Sequence, residues 1–290
     1  MVPPSPDALR SIIEELASNA GLSMEAIRSD PTNAANIDAI YNSLMRKPNC
    51  DAVVSREVFD QILRDVVQNR DLLFEPRSFG CSDHYQLANF LTSRLRSKFM
   101  TFRKWTDHSA FLDDVEIVSF PSSQRYAYVF EHQGRHLIVI HYGLTQLMEF
   151  MSETLVLQKW IEELRSSDRR SAAWFPLIEH QVDDTFQYKV ALGCYVQRRA
   201  LLLPGVATSL PALYLLELIA EVALSELFVC AHEHVHITRG HLDVATPVEH
   251  HFHGLTSHRG PSLTDDQKLE LTTDLGALDY FAPHGVDGST

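Results

Sequence analysis

Cysteine is sparse in this chain of 290 residues. Its four cysteines, Cys50, Cys81, Cys194 and Cys230, stand far apart with no CxxC spacing. That excludes a disulfide framework and a cysteine-built zinc ribbon, and it fits reduced thiols in a cytoplasmic protein. Basic residues are also in short supply, at 25 against 38 acidic ones. Up to residue 110 the chain carries 14 acidic and 13 basic residues; beyond it the numbers are 24 and 12. Binding to a phosphate backbone rests on clustered Lys and Arg, so no nucleic acid is expected as partner. A long uninterrupted apolar run is missing too. The most apolar stretch, "PALYLLELIAEVALSELFVCA", is broken by Glu217, Glu221 and Glu226. A charge every turn or two makes spanning a bilayer costly, so no transmembrane segment is expected and the stretch reads as a mostly buried helix. The N-terminal "MVPPSPDALRSIIEEL" has no basic region followed by an apolar one, and no secretory signal is expected.

What is present divides into two regions, residues 1–110 and 111–290. The first reads as helices separated by turn signals: "SPDALRSIIEELASNAG", "NIDAIYNSLMRK", "SREVFDQILRDVVQNRDLLF" and "SDHYQLANFLTSRLRSKFMTF". Ser5 and Ser55 are expected N-caps, with Pro6 at a first helical position, and Gly21 is an expected helix stop. Over residues 115–141 the period changes. "VEIVSF", "RYAYVFEH" and "RHLIVIHY" are rich in β-branched and aromatic residues, with Gly134 between the last two, which predicts a small antiparallel β-meander. "GLTQLMEFMSETLVLQKWIEELRSS" returns to helical spacing, a further helical stretch is expected over 170–200, and a long apolar helix begins near Pro211.

That helix delivers the chain into "CAHEHVHITRGHLD", where His232, Glu233 and His236 spell HExxH. Positions i and i+4 share a helix face, so the two imidazoles can reach one ion, and Glu233 can hold a water that the ion activates. His234, roughly 200° around the helix from His232, should not join them. The bland competing reading is a polar helix end with solvated histidines. The apolar run before the motif and Gly240 as a helix stop favour an ordered, core-anchored frame. A third protein ligand is needed, with one position left open. "SLTDDQKLELTTDLGALDYF" offers it: Thr264 and Gln267 form a capping box, and Leu269, Leu271, Leu275 and Leu278 recur along a helix. Glu270 and Asp274 lie i, i+4 on it, Glu270 as ligand and Asp274 as the group that orients a ligating histidine. The competing reading makes both surface carboxylates. His250, His251, His253 and His258 of "VEHHFHGLTSHRG" read as a lid over the cleft rather than a second metal site.

"HEHVH" followed by "ELTTD" resembles the gluzincin metallopeptidases, above all the HtpX and CAAX-prenyl-endopeptidase type and their minigluzincin relatives. Those proteins often read HExxHxxxGH, and Gly240 and His241 stand similarly here. "LIVIHYGLTQLMEF" is similar to their strand, Gly-Leu turn and helix. The resemblance implies a zincin-like domain with one zinc per chain, held by His232, His236 and Glu270, with Glu233 as catalytic base and Asp274 behind a ligand. Relatives carry an Arg- and His-bearing segment near the substrate oxyanion; His258, Arg259, His284 and Tyr142 are the candidates for that role.

The expectation is therefore an α+β, mostly helical protein, with an N-terminal helical region and a zincin-like domain built from a small antiparallel sheet and an HExxH helix. The expected function is zinc-dependent hydrolysis of a protein or peptide, an edge strand pairing with the extended substrate. The alternatives are a non-catalytic zinc-containing interaction module, and a peptidase toxin or phage-defence effector acting on one host protein.

Overall fold

The computed structural model describes residues 6–29, 39, 54–66, 72–102, 115–166, 211–240 and 265–279. Helices α1 (Pro6–Asn19), α2 (Met24–Ser29) and α3 (Arg56–Val66) come first. A 3-10 turn (Pro76–Phe79), α4 (His84–Phe102) and strands β1 (Glu116–Phe120), β2 (Ala127–His132) and β3 (Arg135–His141) follow. Helices α5 (Tyr142–Ser166), α6 (Ala212–Thr238) and α7 (Asp265–Asp279) complete a mostly helical α+β chain. Local chemistry starts these helices. Ser55 Oγ accepts from Val58 N at 3.2 Å, and Asp83 Oδ1 accepts from Gln86 N at 2.8 Å, each satisfying an orphan first-turn amide. The helices expected over "NIDAIYNSLMRK" and 170–200, and the Thr264 cap, lie outside the described residues.

The antiparallel meander is not what forms. The strand order is β1-β3-β2, with β2 antiparallel to β3 and β1 parallel to it, Glu116 opposite Leu137 and Phe120 opposite His141. The β2–β3 hairpin closes through Gln133 and Gly134, both at positive φ, as a two-residue turn of this twist requires. A period-2 pattern shows which residues share a face; it does not say which strand lies beside which. Composition did carry a hint. β1 and all but the start of β3 are buried on both faces, and they read as continuous apolar runs, as parallel strands covered on both sides do.

The order has a steric requirement. To bring β2 to the far side of β3, residues 121–126 must cross the end of β3, and they do so over Gly143. The Gly143 N–H donates to Ser122 O at 2.8 Å, and His141 N to Tyr126 O at 3.2 Å. A Cβ at 143 would stand 2.5 Å from the Gln124 carbonyl oxygen and no farther from that of Ser123. Only glycine lets the two backbones pass.

The sheet has a helix layer on each face. Ile117, Ala127, Ile138 and Ile140 pack in one cluster with Leu216, Ala220, Ala223 and Leu227 of α6 and Ile12, Ile13 and Leu16 of α1. Val118, Phe120, Leu137 and Val139 face Val58, Phe59 and Ile62 of α3. At about 1.5–3 kcal/mol per fully buried aliphatic side chain, these faces fix α6 against the sheet. The first cluster draws residues from both sides of position 110.

α4 covers the outer edge of β1. Thr92 Oγ1 accepts from Ser119 N at 2.9 Å and faces Ser119 O at 3.4 Å, and Arg96 Nη2 donates to Ile117 O at 3.3 Å. The same helix reaches α6 through Lys98, whose Nζ lies 2.8 Å from the Glu226 carboxylate. Glu217 pairs with Lys159 at 2.6 Å. Among the described residues, no helix is long and apolar enough to cross a membrane.

α7 departs from its expected stripe. Leu271 and Leu275 are exposed, while Thr273 and Ala277 are fully buried. The fully buried positions of α7 are small residues, while Leu269 and Leu278 are half-buried.

Candidate metal centre

α6 sets the first half of the centre. The buried Cys230 and Ala231 lead into His232, Glu233 and His236, and Gly240 at φ 67° ends the last turn with its N–H on Ile237 O at 3.1 Å. With helical spacing the two imidazoles stack edge-on, ring centroids 4.9 Å apart and Nε2 atoms 3.1 Å apart. α7 brings Glu270 Oε2 to 3.3 Å from His232 Nε2 and 3.8 Å from His236 Nε2. His232, His236 and Glu270 are the group among the described residues whose donor atoms converge on one point, and His234 is not part of it. A tetrahedral zinc with ligands at about 2.0–2.2 Å would space them about 3.3–3.6 Å apart. The three observed separations bracket that range.

Asp274 accounts for the orientation of His232. Its Oδ1 lies 2.9 Å from His232 Nδ1. A carboxylate only accepts, so Nδ1 carries the proton, and in the neutral ring Nε2 presents its lone pair to the centre. That lone pair faces the Glu270 carboxylate. Two electron-rich groups at such a distance require something positive between them or on one of them. Burial pulls the pKa of His232 down, but its hydrogen bonds to Asp274 and Glu270 and the charge of Glu233 outweigh it and hold it up at about 9. The ring keeps a proton where a cation would otherwise sit.

Glu233, 3 % exposed, follows His232 on α6 and is not one of the three converging groups. Burial, with Glu226 and Glu233 adding to it, pushes the Cys230 thiol up, so that cysteine stays protonated and packs as a small apolar group.

The other sequence candidates part company here. Tyr142 lies in an aromatic cluster, its ring 5.6 Å from Phe74 and 5.7 Å from Phe79, edge-on to both. Burial pushes its pKa up, with Glu149, Arg94 and Glu226 as its charged neighbours. Glu226, its neighbour on α6, precedes Glu233 by two turns. His241, His250, His251, His253, His258, Arg259 and His284 lie outside the described residues.

Sequence reasoning missed Arg239 and Gly276. Arg239 Nη1 donates to the Thr272 carbonyl at 2.9 Å, and a Cβ at Gly276 would stand 2.8 Å from Arg239 Nη2. A glycine inside an otherwise good helix was the available signal, because it marks a close approach.

No family model matches this chain, and no curated protein and no solved structure matches it either.

Proposed function

We propose that this protein is a zinc-dependent peptidase of gluzincin type, with His232, His236 and Glu270 as ligands. One observation carries the reading: two imidazole nitrogens and a carboxylate oxygen converge at zinc-like separations beside a buried glutamate that is not itself a ligand. Zinc held there would lower the pKa of a water to about 7 and polarise a carbonyl. Glu233 takes the proton from the attacking water as the new C–O bond forms. It then delivers that proton to the leaving amine as the C–N bond breaks. Asp274 keeps His232 in the tautomer whose Nε2 can ligate. A purely structural site has no use for a buried base, which weighs against the non-catalytic module.

The sheet supports a peptide as substrate. The outer edge of β1 is occupied by Thr92 and Arg96, whereas β2 is the edge that no other described strand pairs with, and α6 packs beneath β2 and β3. An extended chain adding to β2 would run alongside the active-site helix.

The test is metal content and peptide cleavage, measured side by side for wild type and Glu233→Gln. Protein purified without added metal should carry one zinc per chain. Glu233→Gln should keep it and lose cleavage, since an amide cannot take the proton. A zinc-free wild type, or full cleavage by Glu233→Gln, would sink the proposal.

A further inference from the structure

The candidate centre is built from two helices, and nothing in either helix alone fixes their relative register. A slip of α7 by one residue moves its side chains by about 1.5 Å along the axis and about 100° around it. A functional metal site tolerates errors of about 0.2 Å. Glu270 and Asp274 therefore reach their histidines only if something holds α7 at one position on α6.

One contact has the required specificity. Gly276 is buried against the end of α6, where a Cβ would meet Arg239 Nη2 at 2.8 Å, Arg239 Cζ at 3.2 Å and Val235 Cγ1 at 3.2 Å. The guanidinium occupies the space left by the missing side chain and donates to Thr272 O. In a helix that carbonyl also receives the Gly276 N–H, so it accepts two donors; a side chain at 276 would shut the second one out. Arg239 sits at the C-terminus of α6, where positive charge is favoured. Its planar fork fits a slot that a lysine ammonium would fill poorly. Asp274, bonded to His232, and Glu270, at both imidazoles, lie two and six residues before Gly276 on the same helix.

We infer that Arg239 is a positioning residue: its guanidinium, seated in the Gly276 notch, sets the register of α7 on α6 and so assembles the cation site. It touches neither ion nor substrate and acts through Glu270 and Asp274. The inference rests on the reading of this triad as a metal centre.

The experiment uses the full chain with Zn²⁺ affinity from chelator competition, and with Co²⁺ as a spectroscopic probe whose visible absorption reports coordination. The variants are Arg239→Ala, Arg239→Lys, Gly276→Ala and the double Arg239→Ala/Gly276→Ala, with melting of the metal-free proteins alongside. Arg239→Ala should weaken Zn²⁺ binding by about 10-fold or more, the size seen when a ligand loses its orienting partner, and alter the Co²⁺ band. Arg239→Lys should recover part of both. Gly276→Ala should weaken binding as much, yet cost less once Arg239 is alanine, because the nearest atom it strikes, Arg239 Nη2, is gone and only the milder approach to Val235 Cγ1 remains. Arg239 is exposed, so its variants test the latch even if Gly276→Ala fails to fold. Wild-type affinity and an unaltered Co²⁺ band in Arg239→Ala would overturn the inference and leave the metal centre standing. A wild type that takes up neither metal would overturn both.

Discussion

Lowering the pH should destabilise this protein through one buried histidine outside the candidate metal centre. His141 ends β3 fully buried, with Nδ1 2.7 Å from Ser122 Oγ and its ring packed on Tyr126, Tyr128 and Phe120. Its Nε2 has no hydrogen-bond partner among the described residues. Burial alone pulls its pKa down from 6.5 to about 3. The unfolded chain thus binds this proton more tightly than the folded one. The stability His141 contributes is complete above about pH 6.5 and drains away as pH falls toward about 3. At pH 5 the loss is about 2 kcal/mol, from about 1.5 pH units at 1.36 kcal/mol each. That is a sizeable part of a domain's usual 5–15 kcal/mol. Urea titrations followed by circular dichroism at pH 7.5 and pH 5, with chelator present to remove any contribution of metal, measure it. His141→Asn keeps a group that can donate to or accept from Ser122 Oγ, and it cannot take a proton. It should be less stable at pH 7.5, by roughly 2–3 kcal/mol for lost ring packing, but should lose about 2 kcal/mol less than wild type on going to pH 5. Equal pH dependence in the two proteins would refute the reasoning, because the other histidines are common to both.

Gly143→Ala should cost about 3 kcal/mol or more, the upper end for overpacking, because backbone atoms of 123 and 124 cannot swing aside as a side chain can; a melting temperature near wild type would contradict the crossing. Lys98→Met leaves Glu226, 1 % exposed, without its cation and should cost roughly 3–5 kcal/mol. Lys98→Met/Glu226→Leu should regain most of that in urea unfolding, and a double variant as weak as the single would argue against the pair. At the metal centre, Glu270→Ala should lose most of its zinc, and Asp274→Asn should lose about 10–100-fold in affinity. Elemental analysis and chelator competition read both, and the reverse order would exchange their roles.

How much of this was legible depends on the range of each constraint. The HExxH face and the Glu270–Asp274 pair were legible because i, i+4 spacing fixes a face whatever surrounds the helix. Which helices meet was inferred from chemistry: two histidines need a third ligand, and α7 offered carboxylates. The apolar stripe of α7 misled, because a close helix–helix approach is lined by Thr273, Gly276 and Ala277 and leaves Leu271 and Leu275 outside. Strand order was hidden for the reason already given, that a pleat records faces and not neighbours, although Gly143 next to a strand end marked the crossing. The packing of the Tyr142 ring on Phe74 and Phe79 was not legible, because those residues lie far from it in sequence.

The β1-β3-β2 order also fixes a sequence of events in time. A chain emerging from the ribosome makes β1 before β3, its partner in the sheet, exists. β2 and β3 can close on each other at once through their two-residue turn, but β1 can take its place only after β3 and Gly143 have been made, since the connection 121–126 lies across them. Until then β1 is an apolar strand with both edges open, the kind of segment that pairs with a neighbouring chain. α4 is synthesised just ahead of it and carries the groups that occupy one of those edges, Thr92 and Arg96. In the finished fold that helix seals a sheet; during synthesis it is already made when β1 emerges, and it serves as the strand's escort.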